Sequence, residues 1–182
     1  IMTGAGDKAF GSGTDMTQFR GFAQPEDAWA YEDRLDDVMV EIENCSVPTI
    51  AAINGACTGG GAAIAALCDI RLASRSLKFG FPIARTLGNC ISANNLKRFS
   101  QVIGSNRLRE ILFTARLIEA EEALATGLVS EVAASQEALL ARVEELALRI
   151  ASHAPLTLRA TKEGLRRISK TPDVDDRDLI AL

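Results

Sequence analysis

Residues 54–64 read NGACTGGGAAI, and the run Gly59-Gly60-Gly61 at its centre opens an apolar, alanine-rich segment. Ordering glycine costs more backbone entropy than ordering any other residue, so three in succession need a physical reason. Two reasons are open. One is a tight turn with close helix–strand packing behind it. The other is a ligand that must approach the backbone.

Phosphate ligands are tested first. A phosphate loop of the form G-x-x-x-x-G-K-[ST] would align Gly55 and Gly60, but Gly61 and Ala62 stand where its lysine and hydroxyl belong. A dinucleotide fingerprint fails too, because Gly11-Ser12-Gly13 lacks the third glycine at the right offset. The ligand left is an oxyanion. The first N–H groups of a helix have no intrahelical partner and favour negative charge. Gly60 has no side chain to hold an acyl oxygen away. A second donor from FGSGTDM, residues 10–16, would complete a pair that stabilises an enolate or a tetrahedral oxyanion.

The bulk of the chain fits a globular enzyme or binding protein. Its 182 residues suffice for one domain with a real core, 47% are apolar and 24% charged. The net charge of −4 comes from interspersed acids and bases, so no basic face points to nucleic acid. No apolar run approaches the roughly 18 residues that span a bilayer, and no signal-peptide pattern opens the chain. No membrane partner is therefore expected. Cys45, Cys57, Cys68 and Cys90 form no C-x-x-C pair, and His153 is the single histidine, which argues against a metal site and for free thiols in the cytoplasm. The start IMTGAG and the end DVDDRDLIAL read as cut edges, a strand stub and a helix without a C-cap, as in a piece of a longer chain.

The organisation expected is α/β. Ile1–Thr3 is a strand stub, followed by a glycine-rich loop. Pro25 starts a helix running from Glu26 to about Asn44, with Leu35, Val38 and Ile42 on its apolar stripe. TIAAI at 49–53 reads as a buried strand, AAIAALC at 62–68 as a short buried helix, and 69–74 and 77–81 as two strands. Helices are predicted over about 92–102, 105–114, 119–126, 135–152 and 156–169, with Leu139, Val143, Leu146 and Ile150 forming one stripe. Lys162 and Arg166, one turn apart, read as solvated.

Four segments taken together carry a resemblance: GAGDKAFGSGTDM (4–16), VPTIAAINGACTGGGAAIAALCDIRLAS (47–74), ARLIEAEEALATGLVSEV (115–132) and APLTLRATKEGL (154–165). In this order they resemble the crotonase superfamily, the enoyl-CoA hydratases and isomerases. The resemblance implies a crotonase (ClpP-like) spiral of ββα units over residues 1–133 and a helical trimerisation region over 134–182, both incomplete at the chain ends. It implies a homotrimer or hexamer. It implies an acyl-coenzyme A thioester as substrate, with no permanently bound cofactor. By motif position the two oxyanion donors fall on Thr14 and Gly60, and Ser12, Asp15 and Met16 become candidates for contacts to coenzyme A.

The same resemblance exposes a gap. Hydratases of this family carry one glutamate in G-G-G-x-E and a second after a proline. Here those positions are Ala63 and Ile83, or Ala84 in a shifted register. Neither can move a proton, and an oxyanion hole without an acid or base only stabilises. The segment ARTLGNCISANN (84–95) offers Arg85 and Asn89 as replacement polar groups. Arg85 can hold a carboxylate with its fork, or be an ordinary surface arginine. Cys90 reads as a small buried hydrophobe or a thiol, Asn89 and Ser92 as helix caps, Ser92 the better one, Asp15 as a group that bonds local backbone, and Asp69 as a junction residue. Cys57 and Thr58 are expected to line an acyl pocket. The function expected is an acyl-CoA-processing enzyme of the hydratase/isomerase family. Decarboxylation, dehalogenation and thioester cleavage pass through the same enolate. The alternative is a non-catalytic acyl-CoA-binding or scaffolding homologue.

Overall fold

A computed structural model describes residues 1–86, 88 and 90–170. A strand–strand–helix unit repeats along it. β1 (Met2–Thr3) and β2 (Ala9–Gly11) precede α1 (Pro25–Glu43), with a 3-10 helix (Met16–Gly21) between β2 and α1. β3 (Ile50–Ile53) and β4 (Ala56–Thr58) precede α2 (Gly60–Leu67). β5 (Ile70–Ser74) and β6 (Lys78–Gly80) lead into α3 (Ile83–Thr86), α4 (Ala93–Ile103) and α5 (Ser105–Thr114). Then come β7 (Ile118–Glu119), α6 (Ala120–Ala125), β8 (Glu131–Ala133), α7 (Gln136–Ala151) and α8 (Pro155–Lys170).

Each unit contributes one strand to each of two sheets. One sheet has the order β1-β3-β5-β8 and the other β2-β4-β6-β7, and every pairing is parallel except β6 with β7. This is the α/β spiral of ββα units that the sequence implied.

β3 shows why the spiral holds. All four of its residues are buried, as a parallel strand covered on both faces requires. Ala51 and Ile53 point into the main core with α2, while Ile50 and Ala52 pack with Leu139 and Val143 of α7. The period of two thus joins two cores through one strand. α2 is apolar all round and buries Ala62, Ala63, Ala65 and Ala66, where small side chains let helix and strand approach closely.

The structure departs from the sequence reading at several places. β2 and β4 are strands where the sequence read glycine loops, because three-residue strands flanked by glycine show no alternation. On α1 the buried residues are Tyr31, Met39 and Ile42, and Val38 is exposed, since the helix turns the Tyr31–Met39 side toward the interior. Lys162 is not solvated. Its ammonium donates to Asp69 Oδ2 at 2.6 Å and to the Val47 carbonyl at 3.0 Å, anchoring α8 to the segment before β3 and to the junction before β5. Asp69 also accepts from Thr49 N and Thr49 Oγ1, which makes it the junction residue expected. The C-terminal residues 171–182, read as part of the helical region, lie outside the described residues.

Candidate active site

The three glycines do different things. Gly59 caps the N-terminus of α2 at φ +53° and ψ −124°, a conformation that L side chains rarely adopt, and its N–H donates to the Gly80 carbonyl at 3.1 Å. Gly61 packs α2 onto β2, because a Cβ there would stand 2.2 Å from the Gly11 carbonyl oxygen. Turn and close packing, the first of the two reasons open in the sequence, are therefore both met. Gly60 needs neither. A Cβ on it would make only ordinary contacts, 3.4 Å from Gly13 Cα and 3.8 Å from Thr14 N.

Gly60 and Thr14 instead share the wall of a cavity of about 280 Å³. The loop after β2 brings Ser12, Gly13, Thr14 and Met16 to it, and α1 brings Tyr31, Glu32, Leu35 and Met39. Phe81, Pro82 and Ile83 close it from the segment after β6, and Asn95 and Phe99 of α4 complete the far side. Gly60 is the first residue of α2, so its N–H has no partner within the helix. The Gly13–Thr14 turn lies directly against it: a Cβ on Gly13 would stand 3.1 Å from Gly60 N.

Aromatic packing holds this loop in place. Tyr31 donates its hydroxyl to Thr14 Oγ1 at 2.5 Å, and its ring meets Phe19 edge-on with centroids 5.0 Å apart. Phe81 and Phe99 stack at 4.6 Å and line the opposite wall.

The structure brings Thr14, Gly60, Ser12 and Met16 to this cavity. Asp15 turns away from it: its carboxylate accepts from Thr17 N at 2.9 Å and caps the 3-10 helix, and these bonds hold it below the usual carboxylate range. Arg85 is exposed on α3, and Ile83 and Thr86 rather than Arg85 face the cavity. Asn89 lies outside the described residues. Ser92 accepts from Asn95 N and caps α4, as read. Thr58 lines the cavity, whereas Cys57 is fully buried in the core and burial pushes its thiol pKa up. Cys90 is exposed and reaches the cavity rather than the core. His153 is exposed at the joint of α7 and α8. Ala63 and Ile83, the two positions of the family's glutamates, both line the cavity with apolar side chains. Among the described residues no three His, Cys, Asp or Glu side chains gather as a metal site would need.

One residue escaped the sequence reading. Glu32 lies on the cavity wall, half-buried, between the apolar positions of α1. Burial raises its carboxyl above the ordinary value of 4.5, and the negative charge of Asp36 one turn on adds to that shift. A signal was available. Glu32 precedes Leu35, Met39 and Ile42 at helical spacing, which places a carboxylate in register with an apolar stripe.

The family model of enoyl-CoA hydratase/isomerase matches residues 1–179. A short-chain-enoyl-CoA hydratase of Clostridium acetobutylicum is 35% identical over 92% of this chain, and the chain spans 63% of that protein's length. A human mitochondrial Δ(3,5)-Δ(2,4)-dienoyl-CoA isomerase is 34% identical over 91% of the chain, which spans 53% of it. Among solved structures, an enoyl-CoA hydratase/carnithine racemase of Magnetospirillum magneticum superposes with a TM-score of 0.90 at 36% identity, over 98% of this chain and 66% of the other. Fold, motif order and these likenesses agree: the chain belongs to the enoyl-CoA hydratase/isomerase family of the crotonase superfamily.

Proposed function

We propose that the chain processes an acyl-CoA thioester through an enolate whose oxygen is held by the N–H groups of Thr14 and Gly60. The observation that carries this reading is the meeting of the Gly13–Thr14 turn with the first residue of α2 on one cavity wall. Two donors fixed in this way act on the charge that develops as the α-proton leaves, without reorganising at the moment of reaction. The α2 N-terminus adds its partial positive charge. Ser12 and Met16, which line the same cavity, would touch the thioester arm, and Asp15 supports the turn through Thr17 rather than the ligand. Arg85, as a holder of a substrate carboxylate, and Asn89, as a polar group, remain secondary candidates from the sequence.

The narrow, largely apolar cavity suits a short or medium acyl chain. Exposed Leu156, Leu165 and Ile168 on α8 support a contact with further copies of the chain, in keeping with a trimer or hexamer. No helix among the described residues is long and apolar enough to cross a membrane. Four unpaired thiols suit a reducing compartment such as the cytoplasm.

Apolar Ala63 and Ile83 favour a second reading, an acyl-CoA-binding protein without turnover. Incubation with saturated, enoyl, 3-hydroxyacyl and malonyl-type CoA thioesters in D₂O, read by mass spectrometry, separates the two. Deuterium entry at the α-carbon, addition of water, a shifted double bond or loss of CO₂ supports the enolate. Thioesters that bind and return unchanged support the binding protein.

A further inference from the structure

The inner side of α1 carries three acidic residues, and they are treated differently. Asp36 and Glu43 are both bound by Arg98 of α4, Glu43 through Nε and Nη2 at 3.1 and 3.3 Å and Asp36 through Nη1. Arg98 also reaches Asn95 Oδ1 at 3.1 Å. Glu32, one turn earlier, has no hydrogen-bond or ion-pair partner among the described residues and stands on the cavity wall beside Leu35 and Met39. A half-buried carboxylate left unpaired is costly, so folding alone gives no reason for it. A proton carrier needs that state: unpaired, partly withdrawn from water, and open to the ligand.

Resting on the enolate reading above, we propose that Glu32 is the general base of this cavity. It occupies the role left vacant at Ala63 and Ile83, but reaches the acyl chain from α1. Its carboxylate takes the α-proton of the bound thioester. The C–H electron pair becomes the π bond between Cα and the thioester carbon, and the carbonyl π pair moves onto the oxygen at Thr14 and Gly60. When a solvent deuteron replaces that proton on the Glu32 carboxyl before delivery to Cα, the thioester is exchanged. With a 3-enoyl chain, return to Cγ uses the pair of the Cβ=Cγ bond, and the enolate collapses to leave Cα=Cβ. The proton is conserved and no water, oxidant or second substrate is consumed. One carboxylate therefore suffices for a double-bond shift, which makes 3-enoyl-CoA thioesters the substrate class this wall fits.

Burial and the charge of Asp36 raise the carboxyl toward the range of a useful base. The other titratable side chains on the cavity wall are Tyr31 and Cys90, and Arg98 is occupied by Asp36 and Glu43.

The test compares the full chain with Glu32→Gln and Glu32→Asp, using 3-hexenoyl-CoA for isomerisation and butyryl-CoA for exchange in D₂O, with butyryl-CoA affinity and melting temperature measured alongside. Glu32→Gln should lose about 100-fold or more in both reactions, the usual range for an acid–base group, while binding and folding persist. Glu32→Asp should recover part of the rate. Glu32→Gln working at the wild-type rate would overturn the role of Glu32 and leave the oxyanion reading standing. A wild-type chain that binds both thioesters and neither exchanges butyryl-CoA nor isomerises 3-hexenoyl-CoA would overturn both. Because Glu32 holds no partner, the glutamine variant should fold. Glu32→Ala serves as the second variant, and the same pair of results decides it.

Discussion

Tyr31 holds Thr14 by a hydrogen bond of 2.5 Å between the phenol and Oγ1. The bond ties the loop that presents one oxyanion donor to the helix that presents Glu32 at the next residue. Helix α1 is in turn fixed at its N-terminus, where Asp27 Oδ2 accepts from Ala23 N and Gln24 N, and along its length by Arg98. Donor loop and carboxylate thus share one rigid support.

Tyr31→Phe keeps the ring against Phe19 and Phe22 and removes only the hydroxyl. Stability should fall by about 1 kcal/mol, the net worth of one such bond. The α-proton exchange rate should fall further than affinity for butyryl-CoA, because the Thr14 donor loses its alignment. Denaturant unfolding and steady-state exchange check the two effects separately.

Gly61→Ala and Gly60→Ala should behave in opposite ways. A methyl at 61 meets the Gly11 carbonyl at 2.2 Å, a backbone atom that cannot step aside, and the variant should lose several kcal/mol or fail to fold. A methyl at 60 meets nothing closer than 3.4 Å, so that variant should melt near the wild type. Circular dichroism melts of the two proteins side by side are enough.

Exchange activity should rise with pH along a limb centred above 4.5, because the base acts when ionised and its folded pKa is raised by burial and then by Asp36. The linked stability has the opposite sign. A carboxyl whose pKa is raised by folding gives stability that is fully present below its unfolded value and is lost as pH rises through the folded one. Glu32→Gln should therefore flatten the fall in stability above pH 4.5 and match or exceed wild-type stability at neutral pH. Melting temperature against pH for both proteins checks this.

Arg98→Met should destabilise by about 2 kcal/mol, a partly buried share of the cost of stripping one partner from a buried ion pair. It leaves Asp36 and Glu43 without their guanidinium. The unpaired Asp36 charge should push the Glu32 carboxyl higher and move the acid limb of exchange upward. Urea unfolding and the pH profile of the variant report both.

Much of this was legible in the sequence. The boundaries of α4 to α8 were within a residue or two, because Ser92, Ser135 and Gly104 mark their ends chemically and their stripes are long. The family's motif order paired Thr14 with Gly60, and the two stand on one cavity wall. β2 and β4 stayed hidden because three-residue strands carry no period, and they pair with each other through Ala9 and Ala56, far apart in sequence. Lys162 was misread because a helical face tells nothing of a carboxylate 93 residues earlier in the chain. Glu32 was missed for another reason. The family's glutamate positions follow the triglycine and the proline, whereas this carboxylate stands on a helix whose apolar stripe runs through it.

Whether the N–H of Gly60 stabilises the enolate is decided by Gly60→Pro. Proline at the first position of a helix is tolerated, since that N–H has no helical partner, so the substitution keeps the helix start while a ring carbon replaces the donor hydrogen, and thioester affinity is measured beside the rate. The measurement is α-deuterium incorporation into butyryl-CoA in D₂O by the full chain and by this variant. The account predicts a loss of about 100-fold in rate, the effect of one missing oxyanion donor, in a protein that still folds and binds. A folded Gly60→Pro protein that incorporates deuterium as fast as the wild type would contradict it.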